Sequence, residues 1–148
     1  MNSSKVIRFG KSEVKVVTPE MLVALKIVSW NENPSRQRDA QDINYIISNY
    51  EKIDPDAYEC LLDNHIDILE KFDHESSSAV VALMGLRIKN FTNEDHVQLI
   101  KNILSDSIRK EKLARSMIVL SRTSSEEEEK LIIQKLEALL MGLNYLNG

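Results

Sequence analysis

Residues 19–50 read PEMLVALKIVSWNENPSRQRDAQDINYIISNY, and this stretch decides how the rest of the chain is arranged. Its first part is apolar on every side of a helix that turns 100° per residue, with one interruption, Lys26. After a short polar break, a second helix is predicted to begin with Arg38, Asp39 and Asp42. We therefore expect two helices here, the first of them surrounded by protein.

Lys26 lies between Leu22 and Trp30 on the helical wheel. An ammonium group in apolar surroundings must either reach water along its own aliphatic stem or meet an anion. One interpretation is therefore a structural lysine at the rim of a buried helix, and the other is a cation that binds an anionic ligand. Spacing alone leaves both interpretations open.

Asp39 and Asp42 are three residues apart and share one face of the second helix. The structural interpretation is that both acids are stabilised by the positive end of the helix dipole, with Arg38 making a local ion pair. A hydrolase that uses the two acids as a general acid and base is disfavoured, because no neighbouring group separates their pKa values.

Composition limits the class of protein. The chain has 148 residues, 43% of them hydrophobic and 28% charged, with only 4 glycines and 3 prolines, which favours one helical globular domain. A net charge of −4 and a pI near 5.4 provide no overall field for nucleic acid or anionic membrane. We therefore expect no strong nucleic-acid interaction. We also expect no membrane partner, since no apolar run is long enough to cross a bilayer.

Several kinds of chemistry lack support in the sequence. Cys60 has no second cysteine to pair with, and the chain shows no secretory leader, so the predicted compartment is the cytoplasm. His65, His74 and His96 do not have the spacing of metal ligands on one helical face. No glycine-rich loop for phosphates is present.

The predicted fold class is α+β, mostly α, with a short N-terminal β-hairpin followed by about seven helices in a compact bundle. Two β-prone segments around residues 10–13 predict the hairpin. Capping signals and apolar periodicity place helix starts near Thr18, Arg38, Asp54, Ser78, Thr92, Ser107 and Ser125. Gly85 is expected to loosen or end the helix that starts near Ser78.

A family resemblance rests on residues 25–30, Leu-Lys-Ile-Val-Ser-Trp, followed by residues 38–43, Arg-Asp-Ala-Gln-Asp-Ile, and by Asn-Tyr. This pattern resembles the rear half of predicted bacterial nucleotidyltransferases related to the abortive-infection (AbiE-type) toxins. Their helix reads Leu-Lys-hydrophobic-hydrophobic-Ala-Trp before Lys/Arg-Asp-x-x-Asp, so Ser29 replaces the usual alanine. A weaker likeness around Ala82–Ile88 keeps Gly85 but lacks the acid that usually follows Arg87.

The resemblance implies a polymerase β-like superfamily, whose members hold a triphosphate with a Gly-Ser turn and two Mg²⁺ ions with Asp-x-Asp on a strand. This chain has no Gly-Ser pair and no Asp-x-Asp on a predicted strand. Residues 1–148 would then be a single domain, in which 1–17 are a hairpin remnant of the nucleotidyltransferase sheet and 18–148 are helical. The resemblance therefore implies that this chain holds no catalytic residue and no metal ligand. It implies binding of Mg²⁺ and NTP only where a missing N-terminal domain completes the site.

The same resemblance implies roles for four residues. Lys26 would face a nucleotide phosphate, Arg38 would orient Asp39, and Asp42 would stabilise the helix start or touch the nucleotide side of the cleft. The chain would be inactive alone and would act as part of an enzyme that adds NMP to RNA, protein or a small molecule, with a nucleotide and the catalytic domain as its partners.

The alternative function is a non-catalytic helical interaction module. Such a chain would be a degenerate family member or an antitoxin-like partner, and it would dock a protein through the apolar faces of its later helices.

Overall fold

The computed structural model of the chain describes residues 4–9, 12–35, 37–118 and 126–145. These residues form two strands, β1 (Ser4–Phe9) and β2 (Ser12–Val17), and nine helices. The helices are α1 (Pro19–Glu32), α2 (Gln37–Ser48), α3 (Tyr50–Ile53), α4 (Ala57–Asn64), α5 (Ile66–Lys71), α6 (Ser76–Phe91), α7 (Glu94–Ser105), α8 (Ser107–Ile118) and α9 (Glu126–Leu143).

The packed core is built from helices. All described buried hydrophobic residues lie between Val23 and Leu143, and residues 18–35, 37–118 and 126–145 contain no strand. β1 and β2 pair antiparallel with each other, and no described helical residue joins their two-stranded ribbon. The predicted N-terminal hairpin is therefore no part of the bundle, and the α+β fold class is wrong, because the bundle is all-α. A two-stranded ribbon cannot supply a core, so the apolar helix faces pack on one another.

The closest helix pair is α6 with α9. A Cβ added at Gly85 would overlap the backbone carbonyl oxygen of Leu139, and one added at Gly142 would overlap that of Ala82. The two backbones therefore touch where each helix has a glycine. The prediction that Gly85 loosens or ends its helix is wrong, since α6 continues to Phe91 and Gly85 serves this close approach.

The predicted count of about seven helices is wrong, because the segment between α2 and α6 contains three short helices instead of one. The single helix expected from Asp54 is two helices, α4 and α5, separated at His65, whose backbone is non-helical at φ −141° and ψ 48°. This break lets Leu61 of α4 and Leu69 of α5 both enter the core. A further short helix, α3, precedes them.

The predicted helix starts near Thr18 and Thr92 are confirmed, with Thr18 and Asn93 as the capping residues. Thr18 accepts a hydrogen bond from the Met21 N–H at 3.3 Å, and Asn93 accepts one from the Asp95 N–H at 2.7 Å. Both caps satisfy N–H groups that a helix leaves free. The acidic run Glu126–Glu129 occupies the first turn of α9, where the helix dipole favours it.

One side of α1 faces the core and the other faces solvent. Val23, Ile27 and Trp30 are buried, whereas Leu22 is 36% exposed and Leu25 is 44% exposed. The expectation that this helix is surrounded by protein is therefore wrong for the described residues.

Candidate functional site

Lys26 sits between two carboxylates of α2. Its Nζ lies 3.3 Å from Oδ1 of Asp39 and 3.0 Å from Oδ2 of Asp42. The Asp39 side chain is 3% exposed, that of Asp42 is 43% exposed and that of Lys26 is 24% exposed. The ammonium group thus meets anions of its own chain while keeping contact with solvent.

Asp39 is the anchor of this cluster. Its Oδ2 accepts a hydrogen bond from the Ser29 hydroxyl at 2.9 Å, and its Oδ1 accepts one from Lys26. A buried carboxylate is tolerated only when it is paired and hydrogen-bonded, and both of its oxygens are satisfied here. Asp39 therefore holds the Lys26 ammonium in place from the protein side.

Arg38 does not pair with Asp39, which the resemblance expected it to orient. It is exposed and makes no ion pair with any residue that the structure describes, so Ser29 and Lys26 orient Asp39 instead. Ser29 is a functional candidate that sequence reasoning missed. Its signal was its position three residues after Lys26, on the same face of α1, where the family resemblance expects an alanine without a hydroxyl.

The charges of the cluster keep the lysine protonated. The hydrogen bond to Asp42, with further contributions from Asp39, raises the pKa of the Lys26 amine above its ordinary value despite partial desolvation. An ammonium group has three N–H donors, and the two carboxylates leave one of them available. The cations Lys26 and Arg38 balance the anions Asp39 and Asp42, so this surface attracts an added anion only weakly.

The carboxylates do not form a magnesium site. Mg²⁺ requires a near-octahedral set of oxygen ligands, but Asp39 and Asp42 share an ammonium group instead. The part of the chain that the structure describes holds no group of three or more His, Cys, Asp or Glu side chains suited to a metal. The residues present therefore do not fit the two ions of the superfamily.

Asp54-Pro55-Asp56 is the one Asp-x-Asp in the sequence, and its surroundings exclude that role too. It lies between α3 and α4 rather than on a strand. Arg87 Nη1 donates to Asp54 Oδ2 at 2.5 Å, so this carboxylate already pairs with a cation.

A second polar cluster joins α1, α3 and α6. Tyr50, 1% exposed, donates its hydroxyl hydrogen to Glu20 and accepts a hydrogen bond from Arg87 Nη1 at 2.7 Å. Arg87 also lies 3.5 Å from Glu20. Burial, with the adjacent Glu20 charge, raises the pKa of the Tyr50 hydroxyl. This cluster fixes the beginning of α1 against the bundle.

An apolar surface adjoins the lysine. Leu22 and Leu25 lie four residues and one residue before Lys26, and both remain partly exposed on α1. The cation therefore stands at the edge of a leucine pair that the described residues do not cover.

Comparison with known proteins gives one match. The family model described as nucleotidyl transferase AbiEii toxin, type IV toxin–antitoxin system, matches residues 3–141. No curated protein and no solved structure matches the chain. Among the described helices, none has the length and apolar character needed to cross a membrane.

Proposed function

This chain belongs to the AbiEii nucleotidyl transferase toxin family, and from that membership we propose that it is the helical part of a nucleotidyltransferase that presents Lys26 to a nucleotide phosphate. The resemblance read from residues 25–43 is confirmed at the level of the family. The role of Lys26 and the need for a further catalytic part are the proposal.

The proposal rests on the position of the Lys26 ammonium group between two carboxylates. A buried carboxylate, Asp39, and an exposed one, Asp42, hold the ammonium group at 3.3 Å and 3.0 Å, and one N–H donor is left over. A lysine at the rim of a buried helix needs only to reach water. The two carboxylates of α2 restrict the Lys26 side chain further than that. A positioned cation at the surface suits a phosphate oxygen, because little side-chain order is then lost on binding.

The charge balance supports a need for a second part. Two cations and two carboxylates give no excess charge for a triphosphate, and no described cluster fits a metal ion. The Gly-Ser and Asp-x-Asp elements of transfer must then come from another segment or chain. We place that motif-bearing part over Leu22 and Leu25, beside Lys26, because their exposed apolar surface offers it a contact next to the cation.

The interaction module remains the second candidate, although its predicted docking surface has little support. Ile132, Leu136 and Leu139 of α9 are buried in the bundle and are not free to receive a partner. Ile108 and Leu131, at 76% and 58% exposed, are the described apolar side chains of α8 and α9 that reach solvent most fully. Single exposed residues of this kind are common and do not define an interface.

A titration separates the two functions. We expect the isolated chain to bind Mg²⁺–NTP weakly, with ¹H–¹⁵N NMR shifts centred on α1 and α2, and to catalyse no transfer. Lys26→Met should abolish the shifts around Lys26, Asp39 and Asp42, while Lys112→Met, at an exposed lysine of α8, should keep them. Identical titrations of Lys26→Met and wild type would favour the interaction module, and efficient transfer by the isolated chain would contradict the missing-motif proposal.

A further inference from the structure

A groove follows the second half of α2, away from Lys26. One cavity of about 340 Å³ is lined by Gln41 and Tyr45 of α2 together with Met117 and Ile118 of α8. A second, of about 260 Å³, is lined by Lys52 and Lys135 among others. Ser48 and Asn49 line both cavities, so the two adjoin at the end of α2.

The first cavity has the character of a site for a flat aromatic ring. Tyr45 is 67% exposed, so its ring is available for stacking, while Met117 and Ile118 contribute apolar surface. The Gln41 side-chain amide has no hydrogen-bond partner among the described residues and can both donate and accept. Nucleobases combine a stacking face with a hydrogen-bonding edge, and tyrosine with an amide recognises both.

Asn44 has a different part in this cavity. Its Nδ2 donates to the Met117 carbonyl oxygen at 3.3 Å, and its Oδ1 accepts from the Ser48 hydroxyl at 3.1 Å. These bonds fix the floor between α2 and α8 and leave recognition to Gln41 and Tyr45. Glu128 also lines the cavity and is engaged within the chain.

The second cavity has an excess of positive charge. Lys52 and Lys135 make no ion pair in the described part of the chain, unlike Lys26. Glu51 is the one acidic side chain lining this cavity, and it already accepts a hydrogen bond from the Ser76 hydroxyl at 3.1 Å. Two ammonium groups against one carboxylate leave a net positive charge at this cavity, which favours an anion such as a phosphate.

We propose that this groove binds a nucleoside phosphate, with the base on Tyr45 and Gln41 and the phosphate between Lys52 and Lys135. Tyr45 lies in α2 and Lys52 in α3, and the cavities that they line share Ser48 and Asn49, so one mononucleotide can reach both. The site is separate from Lys26 and goes beyond the proposed function. A free nucleotide and the terminal nucleotide of a strand offer the same chemistry to it.

The test is an NMR titration of the whole chain with 5′-AMP, inorganic phosphate and a 5′-phosphorylated hexanucleotide. We expect 5′-AMP to bind more tightly than phosphate and to shift residues of the groove. Tyr45→Ala should weaken 5′-AMP roughly tenfold, since one stacked base contributes at that level. Lys52→Gln and Lys135→Gln should each weaken it severalfold and reduce its salt dependence.

Matched controls are available because these side chains are exposed or lie at the surface. Tyr58→Ala, at the 36% exposed tyrosine of α4, and Lys112→Gln should leave 5′-AMP binding unchanged. Tighter binding of the hexanucleotide would support a strand end, and equal binding would support a free nucleotide.

Three results would overturn the proposal. The first is binding of 5′-AMP no tighter than that of phosphate, and the second is an unchanged affinity in Tyr45→Ala. The third is the absence of groove shifts with every probe at millimolar concentration, which would leave the groove to a partner of another class.

Discussion

The α6–α9 contact and the α1–α2 edge are built on opposite principles. Gly85 and Gly142 bring two backbones together beside Ala82, Leu86 and Leu139, which are all buried and uncharged. At the α1–α2 edge, Lys26 and Asp39 keep a charge pair at the border of solvent, beside leucines that stay partly exposed. The difference shows two ways of joining helices: the first contact brings two backbones together without charge, and the second joins α1 to α2 through a charge pair at the border of solvent.

The largest expected effect lies in the glycine contact. Gly142→Ala places a Cβ against the Ala82 carbonyl oxygen, and backbone cannot move aside as a flexible side chain can. We expect the free energy of unfolding to fall by about 3 kcal/mol or more. Urea denaturation measures this, with Gln134→Ala on the exposed face of α9 as the control. Equal stability of Gly142→Ala and wild type would mean that α6 and α9 do not touch there.

The next effect lies at the charged edge and is tested by a double-mutant cycle. Lys26→Met leaves the buried Asp39 carboxylate with Ser29 alone, which should destabilise the chain by roughly 1–3 kcal/mol. Asp39→Asn combined with Lys26→Met should restore much of that loss, because the unpaired charge is gone. Asp42→Asn, at the exposed partner, should cost less than about 1 kcal/mol. Additive losses in the cycle would contradict coupling between Lys26 and Asp39.

A smaller effect than that of Lys26→Met concerns Tyr50, and it diminishes as the pH rises above about 10. Tyr50→Phe should cost about 1–2 kcal/mol by removing a buried hydroxyl from Glu20 and Arg87. Folding raises the pKa of Tyr50, so its stabilisation is complete below the unfolded pKa of about 10 and is lost as pH rises through the folded value. Denaturation from pH 8 to 11 should therefore show a shallower decline for Tyr50→Phe. Parallel declines would contradict the protonated, buried phenol.

The raised pKa of Lys26 acts in the same direction. Its contribution is also complete below the unfolded pKa of about 10.4 and disappears as pH rises further. Comparing Lys26→Met with Tyr50→Phe over this range tells how far each cluster contributes to alkaline unfolding.

The sequence predicted features that depend on neighbouring residues. The caps at Thr18 and Asn93 and the buried face of α7 follow from side chains within one or two turns, which sequence spacing records directly. The family could also be predicted from the sequence, because its motif lies in two short uninterrupted stretches, Leu25–Trp30 and Arg38–Ile43.

Features that depend on distant contacts were not predicted. Gly85 was expected to end a helix, because its partner Gly142 lies in another helix and no spacing rule connects them. The separation of α4 and α5 at His65 depends on how both helices meet α6. The pair of Lys26 with Asp39 spans 13 residues, beyond the reach of a helical turn. The single-domain organisation and the cytoplasmic location stay predictions.

The most direct measurement is the capture of the native protein from its own cells with an antibody against α9, followed by intact mass, sequencing and a transfer assay. We expect Gly-Ser and Asp-x-Asp motifs in the captured material, either in a polypeptide larger than 17.0 kDa or in a bound chain, together with NMP transfer that Lys26→Met reduces. Capture of the 17.0 kDa chain alone, with or without transfer activity, would contradict the claim that Lys26 completes a site shared with a motif-bearing part.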